Sequence, residues 1–395
     1  MLSLELPLPS PSWFSGRLWL FRLGYFKLTR PKEHAGDWVW IVDHTVQLGA
    51  EKCLVILGIR LCNLPAPGSC LSQEDVEPIA LFPVRQSSGD VVFQQLGDTI
   101  SKTGVPREII GDKGTDLKSG VEKFCQEHPE TCYVYDIKHK TAAVLKHELQ
   151  KDEAWQEFCQ LAAQTRRKVQ QTSLAALAPP NQRTKARYMN VDILIQWGRN
   201  MLSFFARQQK EASSEFDPEQ LEKKFGWLTR FSEQLEEWDE LIHIIETTES
   251  FVRKQGLYRD SSLVLRELLI VLVHKERTKR VCAQLLAFVA EESLKANPNE
   301  RLLGSSEVIE SVFGKLKRME QDQAKNGFTG LLLSVSAMVS TTTKEVVQKA
   351  METVPTKRVL AWCKENIGQS VQAKRKEAFV SHDKTEQKQD QFSVV

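Results

Sequence analysis

The order of apolar segments in the first third of the chain constrains the fold most strongly. Three segments rich in β-branched and aromatic residues follow one another closely, at Asp37–Gln47, Cys53–Leu61 and Ile79–Arg85. Two further strands, Pro106–Gly111 and Cys132–Ile137, alternate with segments of helical spacing. Short connections favour antiparallel neighbours, whereas an intervening helix favours parallel ones. The pattern predicts an α/β fold with a mixed sheet, antiparallel at first and parallel later, covered by helices.

A long helical region follows these strands. From about residue 141 to residue 297 no strand is predicted, and the segment is typical of successive helices. Pro179–Pro180 and Asp217–Pro218 interrupt it. A further helix is predicted at Ser305–Gln323, where Ser305 and Ser306 offer a cap.

Composition narrows the class of protein. The chain has 395 residues, which is enough for two or three domains. Its 53 Lys and Arg nearly balance 51 Asp and Glu, so any surface for nucleic acid depends on local clusters. No apolar run has the length of a membrane helix, and the beginning of the chain lacks the layout of a signal peptide. Eight scattered cysteines fit reduced thiols. We therefore expect a cytoplasmic protein without a membrane partner.

Two aspartates are candidate catalytic residues. Asp43 lies inside the first predicted strand, on a face that passes from apolar to polar, where a carboxylate is costly unless it is hydrogen-bonded, paired or bound to metal. Asp112 ends the fourth strand, directly before a glycine-containing turn, and sites collect at the carboxyl ends of parallel strands. The alternative is that turn amides satisfy Asp43 and that Asp112 caps the following helix. Asp116 competes with Asp112 for the same catalytic role.

A third acid is expected on the helix at Ser305–Gln323. Glu310 lies beside an apolar stripe of this helix, and Glu307, one turn earlier, is its alternative. The plain explanation is a solvated helix with ordinary Glu–Lys pairs. Asp136, at the end of the fifth strand and close to His139, is a further alternative acid. A strand-end turn is the more ordinary explanation of Asp136, since ion pairs and caps often resemble sites.

Three carboxylates from separate elements suit one kind of chemistry. Cutting or transferring a phosphodiester requires a water or a 3′-hydroxyl to be activated and the leaving oxygen to be stabilised. Two divalent ions about 3.5–4 Å apart can do both. Carboxylate oxygens are ligands that Mg²⁺ accepts.

Basic clusters supply the charge that DNA phosphates require. We expect DNA contacts from clusters in the predicted helical region, although solvated helix faces carry such charge too. The candidate residues there are Arg166, Arg167, Lys168, Arg183, Lys185 and Arg187.

Three motifs resemble those of a known enzyme family. The block Ile110–Leu117 resembles the second-aspartate motif of integrases and transposases with an RNase H-like fold. Trp40–His44 is similar to their first-strand motif. Glu310–Lys317 resembles the final-glutamate helix of insertion-sequence transposases, in which a lysine often lies at the position of Lys317. The resemblance covers about residues 37–370 and is closest to the ISNCY-like DDE transposases.

The resemblance implies an RNase H-like, mixed five-stranded sheet flanked by helices. The long interval between Asp112 and Glu310 is explained by the large all-α insertion that some members carry before the final glutamate. The implied catalytic core has two parts, residues 37–140 and residues 301–372, and the second part includes the C-terminal helices. The insertion between them covers residues 141–300. An N-terminal remnant (1–36) precedes the core, and a polar, disordered tail (373–395) follows it.

The resemblance also implies a function. Asp43, Asp112 and Glu310 would bind two Mg²⁺ or Mn²⁺ ions and catalyse DNA cleavage at element ends, followed by strand transfer into target DNA. The partners would be double-stranded terminal repeats and target DNA, held by a homo-oligomer on paired ends. The DNA-binding residues implied near the acids are Lys113, Lys315 and Lys317.

One departure from the family keeps other functions open. Related transposases usually carry a helix-turn-helix region before the catalytic domain, and only 36 residues precede Asp37 here. We hypothesise a truncated or late-started copy. The alternatives are a catalytically inactive DNA-binding remnant and an RNase H-like nuclease that cuts DNA without strand transfer.

Overall fold

A computed structural model describes residues 11–48, 51–181, 191–208, 216–321 and 330–367, together with 376, 377 and 379. The described residues form two compact units. The first contains the residues up to Tyr135 and those from Ser305 onward, and the second runs from Asp136 to Gly304.

The first unit combines a sheet with helices from both ends of the chain. Its elements are α1 (Trp13–Thr29), β1 (Trp38–Leu48), β2 (Glu51–Arg60), β3 (Glu77–Val84), α2 (Gly89–Thr103), β4 (Glu108–Gly111), α3 (Thr115–Glu127), β5 (Cys132–Tyr135), α11 (Glu307–Gln321), α12 (Leu333–Met338), α13 (Lys344–Thr353) and α14 (Thr356–Asn366).

The sheet confirms the predicted fold class. Within the described part of the chain it has five strands in the order β3-β2-β1-β4-β5. Strands β1, β2 and β3 are antiparallel neighbours, while β4 runs parallel to β1 and β5 runs parallel to β4. This is the RNase H-like arrangement. It follows from the sequence because the described residues between the first three strands form no α-helix, whereas α2 and α3 return the chain for the parallel strands. The connection between β2 and β3, residues 61–76, is longer than expected.

The two faces of the sheet carry different residues. Trp38, Trp40 and Val42 of β1 belong to a buried cluster that also contains residues of α2 and α3. Side chains alternate between the faces of a strand, so Val39 and Ile41 lie on the opposite face, and both are fully buried. Because both faces of β1 are covered, its sequence is an almost continuous apolar run.

Helix α1 was not predicted. It packs closely against α12, since a Cβ placed on Gly24 would lie 1.9 Å from the Leu333 carbonyl oxygen. The buried ammonium of Lys27 donates to the carbonyl oxygens of Val339 (2.7 Å) and Ser340 (2.8 Å) at the end of α12. A helix that buries a lysine and exposes Trp13 does not show the usual amphipathic pattern.

The second unit is helical, as predicted. Between residues 141 and 297 the described residues form no strand. Leu257 forms an isolated antiparallel bridge with Leu302, which lies beyond this range. Trp155, Phe158 and Trp238 pack as an aromatic core, with ring centroids 5.0–5.8 Å apart. The helices are α4 (Ile137–Gln150), α5 (Glu153–Val169), α6 (Val191–Gln208), α7 (Pro218–Phe225), α8 (Ser232–Gln255), α9 (Ser261–Leu269) and α10 (Glu276–Ser293).

Two predictions concern membranes and the C-terminal tail. Among the described residues, no helix is both long enough and apolar enough to span a bilayer. The predicted polar tail at 373–395 lies outside the described residues, except for residues 376, 377 and 379.

Candidate active site

Asp43 lies inside β1 and Asp112 directly follows β4, and the two are neighbours where the parallel pairing of these strands ends. The register pairs Ile41 with Ile110 and Val42 with Gly111, so each aspartate directly follows the last of these pairs. Neighbouring strands are about 4.8 Å apart. The strand register therefore brings together two acids that are far apart in the sequence.

The same register places both carboxylates on one face of the sheet. Val42 and Ile109 belong to the cluster under α2 and α3, whereas Ile41 and Ile110 do not. Because side chains alternate, Asp43 shares a face with Ile41 and Asp112 shares a face with Ile110. This is the face opposite α2 and α3, and both acids are half-buried there.

A glycine allows the two strands to approach closely at this point. A Cβ on Gly111 would lie 2.7 Å from the carbonyl oxygen of Val42, so a larger residue would push β4 away from β1. The carboxylate of Asp112 accepts a hydrogen bond from the Gly114 amide (3.1 Å), and its carbonyl accepts one from the Tyr133 hydroxyl. These contacts fix the start of the turn before α3.

Helix α11 supplies the acids predicted from the third motif. The Ser305 hydroxyl accepts a hydrogen bond from the Glu307 amide (3.3 Å), as expected of a residue that caps a helix. Ile309 and Val312 are fully buried, and α11 packs against β1. Glu307 and Glu310 both lie in the first turn and both are partly exposed.

Gln73 anchors the outer side of α11. Its amide nitrogen donates to the Ser311 hydroxyl (2.9 Å), and its amide oxygen accepts from the Lys315 ammonium (2.6 Å). Sequence reasoning missed Gln73, because a loop glutamine carries no pattern that links it to a distant helix.

Asp136, the alternative acid after the fifth strand, lies at the start of α4 in the second unit. Its carboxylate accepts a hydrogen bond from the His139 amide (2.9 Å), which caps α4. Asp136 is fully buried, and a buried carboxylate is costly unless it is hydrogen-bonded, paired or bound to metal.

Asp116, the competitor of Asp112 for the catalytic role, forms an ion pair. Its carboxylate lies 3.0 Å from the Lys52 ammonium. Partial burial alone would raise its pKa, but hydrogen bonds from Ser87 and Lys52 and the charge of His44 lower the pKa of Asp116 to about 2. Nothing in the sequence around Lys52 indicates that it pairs with Asp116.

The predicted DNA-binding residues divide into three groups. Lys113, Lys315, Lys317, Arg167 and Lys168 are exposed. The Lys113 ammonium also lies 4.7 Å from the ring centroid of Tyr135. The Arg166 guanidinium instead donates to the Pro179 carbonyl oxygen. The remaining residues lie outside the described part of the chain, and they are Arg183, Lys185 and Arg187.

Similarity to known proteins is found among solved structures. No protein-family model matches the chain, and no curated protein matches it. Among solved structures, one similar chain is that of the Drosophila P element transposase strand transfer complex, with a TM-score of 0.34 and 12% sequence identity over 85% of this chain and 86% of that one. At this degree of likeness, the activity has to be inferred from the residues of the site.

Proposed function

We propose that the protein is a divalent-metal-dependent enzyme of the DDE transposase type, which cuts DNA strands and joins them to target DNA. The observation that carries this proposal is the register of β1 and β4, which sets Asp43 and Asp112 next to each other on one face. Two neighbouring carboxylates do not form an ion pair with each other, and sites collect where parallel strands end, as β4 does at Gly111.

The donor groups fit a metal ion with oxygen ligands. Asp43 and Asp112 are partly exposed carboxylates, so they can reach both an ion and a substrate phosphate. Mg²⁺ is usually bound through one or two carboxylates, with waters and substrate oxygens completing its ligands. When bound, such ions would activate a water or 3′-hydroxyl and stabilise the leaving oxygen.

Glu310 is the third acid in this proposal. It lies on α11, which packs against β1, the strand that carries Asp43. Glu307 in the same helical turn is an alternative, and so is Asp136, which directly follows β5.

The charges on α11 suit a DNA backbone. Lys317 follows Glu310 by two helical turns, so the two residues lie on similar faces of the helix. Its exposed ammonium can hold a phosphate beside the acids, and Lys315 adds a second exposed charge. A homo-oligomer holding two DNA ends belongs to the same proposal.

Metal-dependent DNA cutting by the purified full chain tests this function. Supercoiled plasmid is incubated with the protein and Mg²⁺ or Mn²⁺, together with a labelled oligonucleotide that has a free 3′-hydroxyl. We expect nicked plasmid that disappears with EDTA, and label joined to the plasmid. Nicking without joined label would identify a nuclease. Absence of both products with either metal would overturn the enzyme proposal and favour an inactive remnant.

A further inference from the structure

A second polar cluster lies on the face of the sheet opposite the paired aspartates. His44 alternates with Val42 along β1, so its ring points toward the face covered by α2 and α3. The Ser87 hydroxyl lies 3.3 Å from Nε2 of His44. Lys52 and Asp116 form the ion pair described above, and the charges of both act on the His44 imidazole. We call these four side chains the latch.

Each member of the latch comes from a different element. His44 belongs to β1 and Lys52 to β2, whereas Ser87 lies in the loop before α2 and Asp116 in the first turn of α3. The Lys52 side chain is 33% exposed and that of Asp116 is 18% exposed. The ion pair is therefore partly shielded from water, and it is worth more than a fully exposed pair.

The latch is joined to the paired aspartates through the backbone. His44 directly follows Asp43, and its amide donates to the Asp43 carboxylate (2.6 Å). Asp116 is the second residue of α3, directly after the turn in which Gly114 donates to Asp112. Holding His44 and Asp116 together on one face therefore fixes the separation of Asp43 and Asp112 on the other.

We propose that the latch is a positioning device for the metal-binding carboxylates, with Asp116 and Lys52 as its positioning residues. This inference rests on the proposed function, because it assumes that Asp43 and Asp112 bind a metal ion. It assigns Asp116 a role different from that of a catalytic acid, since its carboxylate is already engaged by Lys52 on the face away from the site.

The two positions of the ion pair provide the test. Mn²⁺ affinity is measured by calorimetry on the full chain for Asp116→Asn, Lys52→Met and the charge-exchanged double variant Lys52→Asp with Asp116→Lys. Each single variant should bind Mn²⁺ roughly tenfold more weakly or worse, as is found when groups that orient metal ligands are lost. The double variant, which can re-form the ion pair, should regain most of the affinity.

The charge exchange separates positioning from ligation. If Asp116 were itself a metal ligand, a lysine at this position would abolish binding even with its new partner, and the latch proposal would be overturned. Unchanged affinity in both single variants would also overturn it. Lys118→Met is the control, because it breaks an exposed Lys118–Glu122 pair on the same helix and should bind Mn²⁺ normally.

Further measurements keep the two proposals distinguishable. Thermal unfolding identifies a temperature at which every variant is folded, and affinities are compared there. Asp43→Asn should lose Mn²⁺ binding in any case. If it does so while the latch variants bind normally, the latch proposal alone is wrong. If the unaltered chain binds no Mn²⁺, the proposed function and the latch are both wrong.

Discussion

Replacing Asp112 by Asn is expected to reduce metal-dependent plasmid nicking by roughly 10³-fold or more. An amide is a weaker metal ligand than a carboxylate, and the loss of several kcal/mol of charge stabilisation in the transition state has an effect of this size. Asp43→Asn should have a similar effect, because the register places both acids at the same point of the sheet. Initial rates of nicking in Mg²⁺ and Mn²⁺ measure this loss.

Matched variants give this prediction its specificity. Asp98→Asn removes an exposed carboxylate of the same unit, on α2, and should leave the rate unchanged. Nicking at the normal rate by both Asp43→Asn and Asp112→Asn would contradict the proposed site. Among the remaining acids, the variant that loses most activity identifies the third ligand, and the candidates to compare are Glu310→Gln, Glu307→Gln and Asp136→Asn.

Replacing Arg277 by Met is expected to lower the free energy of unfolding of the helical unit by about 3 kcal/mol or more. The Arg277 guanidinium, 17% exposed, donates to the carboxylates of Glu148 (3.1 Å) and Asp152 (2.7 Å), which are 9% and 14% exposed. Removing one partner of a buried ion pair leaves the other charges uncompensated. Chemical denaturation followed by tryptophan fluorescence measures the change, because Trp238 donates to Asp152.

A neighbouring arginine provides the control for this variant. Arg280 also pairs with Glu148 (3.0 Å), but its side chain is 66% exposed, so Arg280→Met should cost at most about 1 kcal/mol. Equal destabilisation by the two variants would contradict the importance of burial.

Despite the opposing effect of burial, hydrogen bonds from arginine lower the pKa of Glu148 and of Asp152. The stability that these two carboxylates contribute is fully present above the ordinary pKa range of carboxyl groups, and it is lost as the pH falls below about 4.

The strands were predictable because each is an apolar run with a clear boundary. The prediction of Cys53–Leu61 differs from β2 (Glu51–Arg60) by one or two residues at each end. Helix α1 was missed for a physical reason. Its buried face contains Lys27, whose charge is satisfied by carbonyl groups, while Trp13 is exposed. A pattern of hydrophobicity cannot find a helix that is stabilised in this way.

The candidate site was predictable only in part. The sequence indicated Asp43, inside the first strand, and Asp112, directly after the fourth, but their proximity depends on the pairing of Val42 with Gly111. Lys52, the partner of Asp116, could not be predicted, because an ion pair between β2 and α3 leaves no local pattern. The assignment of Glu310 rested on resemblance, and Glu307 in the same helical turn keeps the identity of the third acid a proposal.

Locating bound Mn²⁺ by anomalous X-ray scattering from crystals of the full chain would test the proposed metal site most directly. We expect a peak at coordination distance, about 2.0–2.2 Å, from carboxylate oxygens of both Asp43 and Asp112. A shared peak at these two acids is what the proposed cutting and joining of DNA requires. Peaks held only by side chains other than Asp43 and Asp112 would contradict it.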